Sequence, residues 1–153
     1  VDSRLPNLLL HEAIEAGSLP ELTGYSETTR EAVFEDSRID LLLSGDRGLF
    51  YVEAKSVNLV VAGTALFPDA PTERGRKHLG TLARAVEQGH RGAVVFVIQR
   101  KDAAALSPHS DADPLFGDAL TDAVARGVEA YAYTCRVSRR EIEIAESVPV
   151  RLA

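Results

Sequence analysis

The sequence predicts a mixed α/β fold: one sheet that joins an antiparallel meander to parallel strands, flanked by helices. Three observations predict it. Strand-like runs at 28–35, Ser37–Ser44 and Phe50–Val57 follow one another through short connections, which reads as a meander. The run Ala93-Val94-Val95-Phe96-Val97-Ile98 is apolar throughout, as suits a central strand covered on both faces. A segment of helical periodicity, 73–88, separates the Phe50–Val57 and Gly92–Gln99 strands, so these two are joined through a helix and run parallel.

Taken in order, residues 5–16 form the first helix, with Pro6 in its first turn and Gly17 as its stop. Leu5, Leu8, Leu9 and Ala16 mark a helical face; Glu12 falls within it, either half exposed at the rim or pointed at a metal site. Gly17 to Tyr25 is a connecting loop. Between the second and third strands lies Ser44-Gly45-Asp46-Arg47-Gly48, a turn by composition. A loop from Gly45 to Gly48 sets Ser44 opposite Leu49, and Asp40 then falls opposite Glu53 on the same face. Residues 58–71 mix apolar side chains with Gly63, Pro68 and Pro71, and no single element is assigned to them. Thr72 caps the 73–88 helix, whose core face is Leu79, Leu82, Ala83 and Val86 and whose stop is Gly89; Arg74, Lys77, Thr81, Arg84 and Gln88 make a polar stripe. Residues 100–113 read as a polar loop. Asp113 caps, and Pro114 starts, a helix with Phe116, Ala119, Leu120, Ala123 and Val124 on its core face, ended by Gly127. Val128–Arg136 is a strand, and Glu141–Glu146 alternates as an edge strand does.

At 153 residues, with 45% hydrophobic and 26% charged content, the chain is expected to be one globular domain with a sizeable core. No apolar run approaches the length of a membrane span, and no secretory leader is visible, so the cytoplasm is the expected location and no membrane partner is expected. The chain opens at Val1 and has no Met, which reads as a fragment or processed product. One cysteine, Cys135, excludes an internal disulfide and a Cys-based zinc site, and its apolar neighbours make it buried and inert. His11, His78, His90 and His109 lack ligand spacing and are read as structural or exposed; Ser107, Ser110 and His109 share a loop without making a triad. The net charge of −6 argues against a generally basic coat. Residues 72–101, however, carry seven cations against two anions, a local charge of +5 that leaves −11 for the remainder. That segment is either a footprint for a polyanion or a solvated helix face with strand ends.

The chemistry concentrates on the third strand. Tyr51, Glu53, Lys55 and Val57 share one of its faces, and a Glu and a Lys inside an apolar strand are costly unless paired or bound to a metal. With Asp40 across the hairpin, two carboxylates and an ammonium converge. Asp40, Glu53 and Lys55 suit metal-assisted hydrolysis of a phosphodiester. Two carboxylates suffice for Mg²⁺ or Mn²⁺, which lowers the pKa of a bound water, and Lys55 orients that water or offsets oxyanion charge. The plain alternative is a cross-strand ion pair worth about 0.2–1 kcal/mol. Thr72, Arg74, Arg76 and Lys77 stand at a helix N-terminus, where free N–H groups favour phosphate; Gln99 and Arg100 end a strand and face either DNA or solvent.

Leu5-Pro6-Asn7, Ser37-Arg38-Ile39-Asp40, Val52-Glu53-Ala54-Lys55-Ser56-Val57, Phe67-Pro68-Asp69-Ala70-Pro71-Thr72-Glu73-Arg74-Gly75 and Phe96-Val97-Ile98-Gln99-Arg100 resemble the sugar fermentation stimulation protein family, SfsA. That family is similar to the PD-(D/E)xK nuclease superfamily, so the resemblance implies a restriction-endonuclease-like sheet. Residues 1–153 are then a nuclease-like domain whose N-terminal OB-like domain is missing from this chain. The resemblance carries Asp40, Glu53 and Lys55 onto catalytic positions and Asp40, Glu53 and a helix glutamate, Glu12, onto metal positions. Ile39 stands where the superfamily's motif begins with Pro. Arg38, Thr72, Arg74, Arg76, Lys77, Gln99 and Arg100 become candidate DNA contacts. Three functions follow as expectations: an Mg²⁺-dependent (or Mn²⁺-dependent) DNA endonuclease, a non-catalytic DNA-binding regulator of sugar-utilisation genes on the same fold, or a small-molecule or polyanion-binding domain. Self-association is left open.

Overall fold

The computed structural model of the chain describes residues 4–138 and 140–152. Its elements are α1 (Leu5–Glu15), β1 (Glu27–Phe34), β2 (Ser37–Gly45), β3 (Gly48–Val57), β4 (Leu59–Val61), β5 (Thr64–Phe67), α2 (Glu73–Glu87), β6 (Arg91–Ile98), β7 (Ala105–Pro108), α3 (Pro114–Ala125), β8 (Glu129–Val137) and β9 (Ile142–Val148). A six-stranded sheet runs in the order β1-β2-β3-β6-β8-β9. Antiparallel β1–β2–β3 is the predicted meander, and β3, β6 and β8 run parallel. β6 lies inside the sheet with every residue from Gly92 to Ile98 buried, as its apolar run requires. β9 pairs antiparallel with β8 at the edge.

The sheet separates two cores. On one face α1 sets Leu9, Leu10 and Ala13 against Leu41, Leu43, Phe50, Val52 and Val95. On the other, α2 and α3 bring Leu79, Leu82, Phe116 and Leu120 onto Val57, Val94, Phe96 and Ile98. Phe116 meets Phe67 and Phe96 edge-on at centroid separations of 5.1 and 6.4 Å, the geometry their ring quadrupoles favour, and Phe67 lies tilted against Phe96 at 5.5 Å.

Two local expectations are corrected, and one unassigned segment takes a definite form. The α1 core face is Pro6, Leu9, Leu10 and Ala13, spaced i, i+3, i+4, i+7, while Leu8 is 40% exposed and Ala16 is exposed. That rotation turns Glu12 outward. Residues 58–71 contain a β4–β5 hairpin: Val61 pairs with Thr64 around Ala62 (φ 50) and Gly63 (φ 82), the two positive φ values a tight two-residue hairpin turn demands. The segment 100–113 is not all loop, because Ala105–Pro108 pairs parallel with β5 and completes a small three-stranded sheet. Its Ser-Pro ending reads as a turn, and only buried Ala105 and Leu106 betray the strand.

Thr72 caps α2 as predicted, its hydroxyl accepting from the Gly75 amide at 2.9 Å, and Asp113 caps α3 by accepting from the Leu115 amide at 3.1 Å. Asp113 also accepts from the Thr72 amide and from Arg76, so one buried carboxylate joins the starts of both helices. Thr72→Ala is expected to lower stability by about 1 kcal/mol, read as a lower urea midpoint with unchanged slope.

Candidate active site

The turn residues set the register that builds the site. Gly45 pairs with Gly48 and Ser44 with Leu49, and the β2–β3 ladder continues to Leu41↔Val52. One step further stand Asp40 and Glu53. Here the backbone ladder ends and side chains bridge the strands. The Asp40 amide donates to Glu53 Oε1 at 3.1 Å, and the Ala54 amide donates to Asp40 Oδ2 at 2.8 Å. β2 also changes faces at this point: Leu41 and Leu43 pack on the α1 side, whereas Ile39 packs beneath α2. Opposite the break, Glu31 of β1 takes φ 56 between two residues that stay paired with β2. Asp40 therefore sits where the meander opens, which is why its carboxylate reaches a neighbouring strand's backbone.

The strand opening forms the wall of a cleft of about 340 Å³, lined among others by Asn7, Glu31, Asp40, Glu53, Lys55, Arg74 and His78. Glu53 is 3% exposed. Its Oε2 accepts from Lys55 Nζ at 3.1 Å and lies 2.8 Å from His78 Nδ1, which is itself 3.0 Å from Lys55 Nζ. Asp40 Oδ1 accepts from Asn7 Nδ2 of α1 at 2.9 Å. Burial, then the nearby Glu53 charge, pushes the Asp40 carboxyl up to about 6. Burial acts the same way on Glu53, but His78, Lys55 and the Asp40 amide outweigh it and hold that carboxyl below its ordinary value. The two acids are thus driven apart: Glu53 keeps its charge, and Asp40 gives up its proton reluctantly beside it.

Such a pair fits a hard divalent cation. The donors are carboxylate oxygens, and Asp40 Oδ1, Asp40 Oδ2 and Glu53 Oε1 each keep a lone pair beyond the one hydrogen bond each accepts. A cation between them would also relieve the repulsion that raises the Asp40 carboxyl. The site is sparse, however: among the described residues no three His, Cys, Asp or Glu groups are arranged to hold a metal.

Asp40, Glu53 and Lys55 are brought together, and Arg74 reaches the same cleft. Glu12 is not brought to them: it is exposed and lines clefts with Leu9, Ala13 and Glu143 on the far part of α1, which sends Asn7 to the site instead. Thr72 is engaged as a cap, and Gln99 donates to Ser56 Oγ at 2.6 Å, one residue removed from Lys55. The cations of the basic segment prove largely paired. Arg76 pairs with Asp113, Lys77 with Asp36, Arg84 with Glu35, Arg91 with Glu129 and Arg100 with Asp102. Arg38, Arg74 and Lys101 have no carboxylate partner among the described residues. The cations are adjacent in sequence, but their partners lie up to 49 residues away, so the local charge of +5 is mostly cancelled in space.

Two site residues lay outside the sequence expectations. His78 is separated by i, i+4 from Leu82 and by i, i+3 from Gly75, which puts it on the buried side of α2; that spacing was the available signal. Asn7 falls in the Leu5-Pro6-Asn7 run that carries the family resemblance, but nothing in its chemistry or spacing assigned it to the site.

Comparison with known proteins bears on the whole chain. The model of the "Sugar fermentation stimulation protein RE domain" matches residues 4–141. The sugar fermentation stimulation protein homolog of Desulforamulus reducens is 45% identical over 152 residues, covering 99% of this chain and 64% of that protein. The homolog of Citrifermentans bemidjiense is 48% identical over 153 residues, covering 99% and 66%. This chain therefore spans slightly less than two thirds of those relatives. A solved structure described as Pyrococcus furiosus SfsA in complex with Ca²⁺ superposes with a TM-score of 0.90 at 30% identity, covering 97% of this chain and 64% of that one. With a family model over nearly its full length and relatives at 45–48% identity, the chain belongs to the sugar fermentation stimulation protein family, SfsA.

Proposed function

We propose that this domain hydrolyses DNA phosphodiesters with the help of a divalent cation, Mg²⁺ or Mn²⁺, held by Asp40 and Glu53. The observation that carries the proposal is the pair of carboxylates bridging the opened β2–β3 ladder beside Lys55, at the wall of one cleft. The Ca²⁺ named for the Pyrococcus furiosus relative supports it, since Ca²⁺ and Mg²⁺ both take oxygen ligands. When bound, the cation supplies Lewis acidity and offsets phosphate charge. The chain's own groups do the rest. Asp40 and Glu53 hold their oxygens toward one point, through the Asn7 and Ala54 donors on the first and the Asp40 amide on the second. Lys55 orients the attacking water or faces the developing oxyanion charge. Arg74, at the cleft wall, is positioned to meet a phosphate.

The regulator on the same fold is the weaker reading, because gripping DNA without chemistry needs unspent cations. Five of the seven in residues 72–101 are matched by carboxylates. This pairing predicts a shallow salt dependence of DNA retention. Contact by all seven gives a slope of log K against log salt of roughly −6, whereas two or three contacts give roughly −2. A slope near −6 in a fluorescence-anisotropy titration restores the regulator.

The direct test incubates supercoiled and linear DNA with Mg²⁺ or Mn²⁺, wild type beside Lys55→Ala. Cation-dependent products from wild type only are the expected result. No products from wild type with either ion would end the hydrolytic reading.

A further inference from the structure

The three atoms Glu53 Oε2, Lys55 Nζ and His78 Nδ1 stand 2.8, 3.0 and 3.1 Å apart, a closed triangle. Such a triangle cannot satisfy all its edges. With a hydrogen on Nδ1, His78 donates to the carboxylate, and its contact with the ammonium is then donor against donor. With Nδ1 bare, His78 accepts from Lys55 and presents a lone pair to a carboxylate oxygen 2.8 Å away. One of the two ligands of Nδ1 is therefore always poorly served. The mobile member is Lys55, whose ammonium ends a flexible stem and whose side chain is 15% exposed at the cleft; the side chains of Glu53 and His78 are 4% and 7% exposed.

We propose that His78 is the positioning residue of this pair: its Nδ1–H holds Glu53 Oε2, so that the Lys55 ammonium can leave that oxygen and turn into the cleft. This rests on the cation-dependent reading above. Without His78, Lys55 is the only side-chain donor to Glu53 among the described residues, and the two tasks compete. Either the ammonium stays on the carboxylate and is lost to the substrate, or it leaves and Glu53 loses the anchor that aims Oε1 beside Asp40. α2 is suited to the part. His78 is fixed on its buried side, between Gly75 and Leu82, and the helix start is clamped by Thr72, Arg76 and Asp113.

The experiment measures Mn²⁺ binding by calorimetry, without DNA, for wild type, His78→Leu and His78→Asn. Leu fills the ring's volume without a donor; Asn places an amide N–H near the position of Nδ1. Groups that orient a metal-binding side chain typically change affinity about 10–100-fold when removed. The expected result is about a 10-fold loss for His78→Leu and recovery to within about 3-fold of wild type for His78→Asn. Equal binding by His78→Leu and wild type overturns the positioning role, as does equal weakness of both variants. Absence of Mn²⁺ binding by wild type overturns the cation-dependent reading on which the role rests. Because His78→Leu can unfold, nitrogen-15 NMR of the wild-type imidazole supplies a second measurement: a hydrogen on Nδ1 is expected, and a bare Nδ1 refutes the proposal.

Discussion

Asp40→Asn is expected to make the protein more stable at pH 7, by roughly 1–3 kcal/mol, and to remove the stabilisation by divalent cations that the proposed function expects of wild type. The gain comes from the Asp40 carboxyl, pushed up to about 6 by burial and by Glu53. A carboxyl whose folded value lies above its unfolded 3.8 binds more protons when folded, so stability falls as pH rises from about 4 to about 6 and stays lowered above that. The upper end of the range is the full linkage energy; the lower end allows for water reaching a side chain that is only partly buried. Asparagine removes the charge and keeps the hydrogen bonds: its carbonyl accepts from the Ala54 amide, and its amide donates to Asn7 once the Asn7 side chain is flipped. Thermal melts from pH 4 to pH 8 check this. Wild type should lose several degrees across pH 4–6, Asp40→Asn should not, and Mg²⁺ or Mn²⁺ should raise only the wild-type Tm. A variant less stable than wild type at pH 7 would mean that Asp40 is held by its donors more firmly than it is strained by its neighbour. On the proposed hydrolytic reading, this is stability given up for a group poised to act.

The meander and its register were legible because they depend on neighbours in sequence. Gly45 and Gly48 fix the turn, and counting outward from Ser44↔Leu49 carries Asp40 to Glu53 without tertiary information. The apolar run 93–98 likewise announced its own burial. What the sequence withheld depends on distant partners. The Asp40–Glu53 step lies just past the end of the ladder, so the alternation that placed Asp40 on a face does not describe how its carboxylate is held. His78 reaches Glu53 from a helix on the other side of a 25-residue separation, and its role follows from the packing of α2 onto β3. The pairing within the basic segment was hidden for the same reason: Glu35, Asp36, Asp113 and Glu129 reach its cations only through the fold, whereas Asp102 lies two residues beyond Arg100. Glu12 shows how small the margin is. Leu8 and Leu10 are both apolar, and choosing the wrong one for the core rotates the helix face enough to turn an acid toward or away from the sheet.

Glu53→Ala should destabilise the protein by roughly 2–4 kcal/mol, the opposite of Asp40→Asn from the facing strand. Truncation leaves the Lys55 ammonium without a carboxylate in a site where it is 15% exposed, and it strips the Asp40 amide of its acceptor. Breaking one side of a buried pair costs about 3–5 kcal/mol. Two effects reduce this: Lys55 retains some access to water, and removal of the Glu53 charge eases the ionisation of Asp40. The loss should still dominate, because burial, which remains, is the larger cause of the Asp40 shift. The pH dependence carries a separate signature. Glu53 is held below its ordinary 4.5, so its contribution is present above that value and lost as acid protonates it; in Glu53→Ala that acid-side loss disappears. A double-variant cycle with Lys55→Met isolates the pair. Removing both charges should leave the protein more stable than Glu53→Ala alone, with a coupling of about 1–3 kcal/mol. A double variant no more stable than the single would show that the ammonium escapes to solvent when its partner is gone. Lys55 would then be mobile enough to act in the cleft without His78 to relieve it, and the geometry of the triangle would matter for holding Glu53 alone.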